Sequence, residues 1–441
     1  MKHNKPRGKD LRYLFALVFF LLFFAPVLTP VQVQAQAAAA PQAVDENQAL
    51  QHAPTIEPAP QVNARSAALI DATTGTLLYA KNPDLALPPA SLTKLLTLHI
   101  AYEEIEAGRL SLEENIEIDK RDCSPYIPYG SSIMYLHPGM KVSVRDIMLG
   151  AAVVSGNDAA YVLARRISGS NEEFAKRMNQ EMEEMGFDKL SFVEPSGLSE
   201  FSLITARQFA QFCKRYLELH PQALEELHSV RYIEFPRAEH SAPGYVPEGR
   251  IIQYNRNSLI TSYPGADGLK TGYIIEVGFN MAATAQREGS RFIVVTLGGT
   301  GSSYAGGGRQ RTQDVSRLLD WAFENFSTQS LDAGELPKTR VWFGAERSVN
   351  LVTASANAVT VPRGRESELS LRVEAESFVD GPIEKGRKLG RLVYSLGDKI
   401  VSTIDLVAES DVPRGTFLRR VWDGILRFFN NIFSKEPRKS Q

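Results

Sequence analysis

Apolar and polar positions follow two different periods along this chain. Ala67-Ala68-Leu69-Ile70 and Thr76-Leu77-Leu78-Tyr79-Ala80 are compact apolar runs on either side of a turn containing Gly75, which predicts a hairpin. Apolar residues then recur at helical spacing over 91–107, 143–154, 158–168, 171–185 and 205–219. Beyond these, "KTGYIIE", "GFNMAATAQRE" and "RFIVVTLGG" read as three successive antiparallel strands, with turns at Gly278 and Gly289-Ser290. A helix over "TQDVSRLLDWAFENF" closes the block near Phe326. Strands at both ends with helices between them predict one α+β domain over 64–326.

From 333 to 410 the pattern shortens. "TRVWFG", "SVNLV", "AVTVP", "ELSLRVEAE", "GRLVYSL" and "KIVSTIDLVA" alternate with turn residues, which predicts a small all-β sandwich. It carries no cluster of His, Cys or paired carboxylates and is given no catalytic role. The segment 414–435 changes again. Phe417, Leu418, Val421, Trp422, Ile425, Leu426, Phe429, Ile432 and Phe433 form a helical stripe, opposite Arg419, Arg420, Asp423, Arg427, Asn430 and Asn431. Residues 414–441 hold seven Lys or Arg against two acids. A basic amphipathic helix with Trp and Phe on its apolar face suits a membrane surface and is too charged to span one. Packing on its own protein is the competing explanation.

The N-terminus has a separate pattern. A basic start, "MKHNKPRGKDLRY", precedes the 15-residue apolar run Leu14 to Leu28 and small residues around Ala35 and Ala37. That order predicts a secretory signal over 1–35, since the run is shorter than the roughly 20 residues of a spanning helix. An Ala/Pro-rich linker follows over 36–63. The mature chain is therefore expected outside the cytoplasm.

Composition narrows the partners. A net charge of -2 over 441 residues argues against nucleic acid, which needs a strong basic field. The two cysteines, Cys123 and Cys213, make neither a disulfide framework nor a metal site and read as buried small hydrophobes. No cofactor and no metal is expected. His137 and the other histidines lie outside the motifs described next and read as structural.

Candidate chemistry lies in three short motifs. In "LPPASLTKLLTLHI", Ser91 and Lys94 share one face at a helix start. A serine hydroxyl needs a base to become a nucleophile, and a buried lysine whose pKa has fallen supplies one. Alone, the pair also fits a capped helix with a surface lysine. "VVSGNDAA" places Ser155-Gly156-Asn157 in a turn between two helices, where Asn157 or Asp158 could equally be a cap. "GADGLKTGYIIE" starts a strand with Lys270-Thr271-Gly272, and Gly272 would allow a ligand backbone to approach closely. S-x-x-K, an S-x-N element and K-T-G in this order, 64 and 115 residues apart, form the motif set of serine penicillin-recognising enzymes.

The chain resembles the low-molecular-mass penicillin-binding proteins that act as serine-type D-alanyl-D-alanine carboxypeptidases. The resemblance runs from about 64 to 435 and includes "AALIDATTGTLLYAKNPD", "PPASLTKLLT", "FVEPSGL", "NRN" at 255–257 and "DGLKTGY". It implies a D,D-peptidase catalytic domain of the penicillin-binding/β-lactamase-like transpeptidase fold, an antiparallel sheet with helices. It implies peptidoglycan stem pentapeptides as substrate, β-lactams as covalent inhibitors, and a periplasmic enzyme held at the outer face of the inner membrane. Ser91 would carry the acyl group and Lys94 take its proton. Ser155 and Lys270 would pass a proton to the leaving D-alanine, and Asn157 would hold the substrate amide. The Ser91 and Tyr273 backbone N–H groups would form the oxyanion hole. Thr271 and Arg311 would bind the terminal carboxylate, with the substrate lying as an added strand beside Lys270 to Ile275. A D,D-endopeptidase or a β-lactamase on the same fold is the alternative. A non-catalytic wall-binding protein would be expected to lack Ser91, Lys94 or Lys270. Two departures leave questions open at this stage. Glu194-Pro195 is similar to the start of the deacylating stretch of class A β-lactamases, but Ser196-Gly197-Leu198 follow. Glu276 adds bulk and charge after K-T-G, at the rim of substrate fit.

Overall fold

The computed structural model describes residues 56–123, 127–248 and 251–433. The signal over 1–35 and most of the linker lie outside the described residues. The chain enters with β1 (Ser66–Asp71) and β2 (Leu77–Lys81), the expected hairpin around Gly75. Five helices follow: α1 (Lys94–Glu106), α2 (Val144–Val153), α3 (Asn157–Ser168), α4 (Asn171–Glu184) and α5 (Ala206–Leu219). Their starts are set by polar side chains. Ser143, Ser170 and Thr205 accept from the backbone N–H three residues on in α2, α4 and α5. Gly169, at φ +82°, ends α3.

Strands β3 (Ala266–Ile274), β4 (Gly278–Arg287) and β5 (Ser290–Gly299) come next, and helix α6 (Tyr304–Asn325) closes the block. The sheet order is β2-β1-β5-β4-β3, antiparallel throughout, so β3 is an edge strand. Alternate residues serve two cores. Ala68, Ile70, Ala282, Ile293 and Val295 face the helices α1 to α5. Leu69, Met281, Ala283, Phe292 and Val294 face Val315, Leu318 and Leu319 of α6. Both faces being covered, these strands read as continuous apolar runs and not as alternation.

Helix α1 is buried on every side from Lys94 to Tyr102. A helix apolar all round belongs in a core. Its first residue is therefore a lysine at the centre of the molecule. Helix α6 starts earlier than its apolar period indicates. Ser303 Oγ accepts from Gly306 N–H at 3.0 Å, and a Cβ on Gly307 would stand 1.9 Å from the Phe279 ring. The glycines, poor helix formers, are there to let α6 approach the sheet.

The β-rich segment forms three small sheets around one core that includes Val341, Val361, Leu392 and Leu406. Its first strand, Phe326–Gln329, follows α6 without a linker and pairs with Val359–Pro362. Phe326, read from sequence as the end of a helix, is the first extended residue. The last element is the helix Phe417–Phe433. Among the described residues, no helix is long and apolar enough to cross a membrane.

Candidate active site

Ser91 lies in a 3₁₀ turn, Ala90–Thr93, that runs into α1. The turn is strained, with Ala90 at φ +50°, a left-handed conformation unfavourable for a side chain. Three neighbours hold it. Asn280 Nδ2 donates to the Pro88 and Pro89 carbonyls at 2.8 and 2.9 Å, while its Oδ1 accepts from Gly298 N–H at 2.8 Å. A Cβ on Gly197, itself at φ +83°, would stand 1.8 Å from the Ala90 carbonyl oxygen. A Cβ on Gly272 would meet Pro89 O at 3.0 Å and Ser91 N at 3.1 Å. The Gly272 of K-T-G thus packs tightly against the Ser91 turn itself, where a side chain would push that turn by a few tenths of an ångström. The close approach expected for a ligand backbone is made, on that side, by the chain's own residues.

Lys94 Nζ joins the first two motifs. It lies 3.1 Å from Ser91 Oγ and 2.6 Å from both Asn157 Oδ1 and the Ser196 carbonyl. Burial brings its pKa down to about 7, against the Glu194 and Asp158 carboxylates, which act to raise it. A neutral amine has two N–H bonds and one lone pair. The two shorter contacts are to atoms that can only accept, so they take the N–H bonds. The lone pair is left for the Ser91 hydroxyl.

Ser155 is buried and left-handed, at φ +63°. The turn around it is tied down on both sides. Asn157 N–H donates to the Ser132 carbonyl at 2.9 Å, and Asp158 accepts from the Met134 and Leu136 N–H groups. Burial raises the Asp158 carboxyl to about 6. Neither capping explanation for Asn157 and Asp158 holds, because Gly156 is the cap and makes no side-chain bond.

Lys270 is 1% exposed and donates to the Thr271 carbonyl at 3.1 Å. Its pKa is held well below the usual lysine range, first by burial and then by the cations Lys94, Arg311 and Arg256. Arg311 has no carboxylate partner among the described residues. It reaches the Gly272 and Asn280 carbonyls at 3.4 and 3.5 Å, and its Nε is buried without a partner. Burial lowers its pKa to about 10. Thr271 is buried on β3, and Tyr273 is half-exposed on the same edge strand. Arg256 and Arg311 beside the basic side chain of Lys270 make a place for an anion.

Glu194 is absorbed in local structure. It accepts from the N–H groups of Ser196, Gly197 and Ser199 and from the Ser196 hydroxyl, and so shapes the loop that presents the Ser196 carbonyl. The Ser196 carbonyl, Gly197 and Asn280 are the site residues that reading the motifs missed. Asn280 had a signal, a lone amide in the apolar run "GFNMAATAQRE". A backbone carbonyl has none.

Residues 53–301 match the family model described as D-alanyl-D-alanine carboxypeptidase. The chain belongs to the D-alanyl-D-alanine carboxypeptidase family. Residues 326–414 match the model described as penicillin-binding protein 5, C-terminal domain. D-alanyl-D-alanine carboxypeptidase DacC of Escherichia coli is 33% identical over 389 residues, 86% of this chain and 91% of that protein. The crystal structure of penicillin-binding protein 5 from Haemophilus influenzae superposes with TM-score 0.69 at 30% identity, covering 81% of this chain and 99% of that one. Penicillin-binding protein D2 of Listeria monocytogenes in its cefotaxime-bound form matches with TM-score 0.51 at 27% identity, over 60% of this chain and 100% of that one. This family member is a serine-type carboxypeptidase with the penicillin-binding transpeptidase-like fold and a β-rich C-terminal domain.

Proposed function

We propose that the carboxypeptidase removes the terminal D-alanine of peptidoglycan stem pentapeptides through an acyl-enzyme on Ser91. The observation that carries this assignment is Lys94 Nζ, with two contacts to acceptor-only atoms and one to Ser91 Oγ. Lys94 accepts the hydroxyl proton as Oγ bonds to the carbonyl carbon between the last two D-alanines. The oxyanion is held by the Ser91 and Tyr273 N–H groups, each such donor worth about 2.7–4 kcal/mol. As the C–N bond breaks, Ser155 and Lys270 pass a proton to the departing amine. Water then cleaves the ester. Asn157, whose Oδ1 is taken by Lys94, offers its Nδ2 to the substrate amide. The terminal carboxylate joins Thr271 and Arg311 and offsets the positive charge that Arg311 and Arg256 place beside Lys270. The open edge of β3 accommodates the peptide as an added strand. A β-lactam carbonyl would enter the same position and acylate Ser91.

The test is an intact mass after incubation with a β-lactam, for wild type and Ser91→Ala, followed by D-alanine release from a pentapeptide. A stable adduct on wild type alone, with D-alanine released, is expected. An unmodified wild type would defeat the mechanism, and rapid drug turnover would favour a β-lactamase.

The working location follows from the two ends of the chain. The basic start and short apolar run support export to the periplasm. The C-terminal helix supports attachment to the outer face of the inner membrane. It docks on the β-rich domain through its polar face: Asp423 accepts from Phe343 N–H at 2.9 Å, and Arg427 pairs with Asp380 at 2.6 Å. Phe417, Leu418, Trp422 and Phe428 point to solvent. A cleft of about 550 Å³ beside it is lined by Lys338, Arg340, Arg347 and Arg419 among others, which suits an anionic lipid surface.

A further inference from the structure

Five residues along α1 from Lys94 lies a group of titratable side chains that the reaction does not use. His99 is fully buried. Its Nδ1 lies 2.8 Å from Nε2 of His220, which directly follows α5, and Nδ1 of His220 lies 2.9 Å from Glu106 Oε1. Tyr102 stacks on the His220 ring at 5.0 Å between centroids and fixes its orientation.

The proton positions follow from the end of this chain. The Glu106 carboxylate only accepts, so Nδ1 of His220 carries the proton. The Nε2 of neutral His220 then accepts from Nδ1–H of His99. This leaves a lone pair on His99 Nε2, which faces Glu181 Oε1 at 3.4 Å and Glu103 Oε1 at 3.8 Å. Three acceptor atoms meet with at most one carboxyl proton among them, since burial first and then Glu181 raise the Glu103 pKa. A buried contact of that kind is unfavourable unless a cation lies within it.

We propose that His99 Nε2, Glu103 Oε1 and Glu181 Oε1 bind a divalent transition-metal ion of the zinc type. The three ligand atoms lie within 4.8 Å of one another. Ligands 2.0–2.2 Å from a tetrahedral ion are about 3.4 Å apart, close to the two histidine contacts here. Glu103 follows His99 by one helical turn, so both project from one face of α1. Glu181 comes from α4, 82 positions beyond His99, a spacing that no short motif reveals. The His220–Glu106 pair behind the ligand histidine matches the outer-shell carboxylate–histidine arrangement of metal sites. Arg177 approaches the other oxygen of Glu103, Oε2, at 3.7 Å and leaves Oε1 to the metal. Glu103 is one-third exposed and gives the ion a way in. The ion would tie α4 to the helix that begins at Lys94 and so stiffen the base of the catalytic turn.

The test uses the untagged full-length protein, stripped with a chelator and titrated with Co²⁺ and then Zn²⁺. One equivalent of Co²⁺ should give visible d–d absorption that Zn²⁺ abolishes, and Zn²⁺ should raise the melting temperature. Glu181→Gln should weaken binding at least about tenfold. A wild-type circular dichroism spectrum and a cooperative urea unfolding transition, both taken without metal, would show that this variant is folded. If it is not, Glu103→Gln, at the solvent end of the cluster, serves instead. Three results would overturn the proposal. One is the absence of a stoichiometric site. Another is undiminished affinity in the folded variant. The third is a melting temperature that responds to pH but not to metal, which would make a proton on His99 the resident cation.

Discussion

The cleft and the C-terminal helix place side chains against their transfer preferences in opposite directions. Lys94 and Lys270 are 0% and 1% exposed, whereas Phe417, Leu418 and Phe428 are 69%, 79% and 62% exposed. In the cleft the conflict is resolved inside the protein. Burial lowers the Lys94 pKa to about 7 so that the neutral amine is accessible, and acceptor atoms take its N–H bonds. At the tail nothing among the described residues resolves it. The polar face is used for docking, and each large apolar side chain left in water forgoes about 1.5–3 kcal/mol of burial. The contrast separates two kinds of functional strain. One is built for chemistry and complete in the folded chain. The other, on the proposed attachment, would be completed by a membrane surface outside it.

The sharpest way to break the cleft side of this contrast is Gly197→Ala. The new methyl would stand 1.8 Å from the Ala90 carbonyl in a residue already at φ +83°. The turn carrying Ser91 has to move. Acylation by a fluorescent penicillin should fall by at least ~100-fold, with a stability loss of about 3 kcal/mol in urea unfolding. Wild-type acylation would mean that the turn is held by something other than this contact.

The next effect is in pH. On the proposed mechanism Lys94 can act as a base only when neutral, and its pKa is depressed to about 7. Below that value the ammonium dominates and the proton acceptor is lost. Acylation should therefore drop about tenfold per pH unit below about 7 and level off above it. A rate that stays flat down to pH 5 would remove Lys94 from the role of base.

These two predictions draw on different levels of what the chain encodes. Ser91 and Lys94 were legible as a pair from side-chain chemistry and helix spacing, and Asn157 only from the motif set. Lys270, Thr271 and Gly272 were legible as a motif, but the tight packing at Gly272 was not. It is set by Pro89 and Ser91, which are remote in sequence and become neighbours only when β3 packs on the turn. The Ser196 carbonyl was invisible because any residue supplies a carbonyl. The five-stranded order was hidden for a related reason. The hairpin pairs with β5 across the whole helical block, and strands covered on both faces lose the period-2 pattern that marks a surface. Helix α6 began in a glycine run chosen for close packing on Phe279, against helix propensity.

At the tail, Trp422→Ala should weaken binding to vesicles containing anionic lipid by roughly tenfold, since it removes one large apolar side chain of several. The acylation rate should not change. Unaltered partitioning, measured by co-sedimentation, would move the contact surface away from this face of the helix.

The smallest effect tests whether docking and presentation are separable. Asp423 is buried and accepts from the Phe343 N–H at 2.9 Å, with Arg419 3.6 Å away. Asp423→Ala removes the acceptor and leaves that amide dependent on water. Hydrogen exchange at Phe343 should then quicken by about tenfold, in keeping with a charged hydrogen bond worth 1.5–3 kcal/mol in part offset by solvent. Vesicle binding should persist, because the apolar stripe is intact. Acylation should persist too, because no catalytic group touches this helix. Loss of vesicle binding in Asp423→Ala would show that the apolar face works only when the β-rich domain holds it in place. The tail would then be part of the folded architecture, as the cleft is, and not a separate anchor.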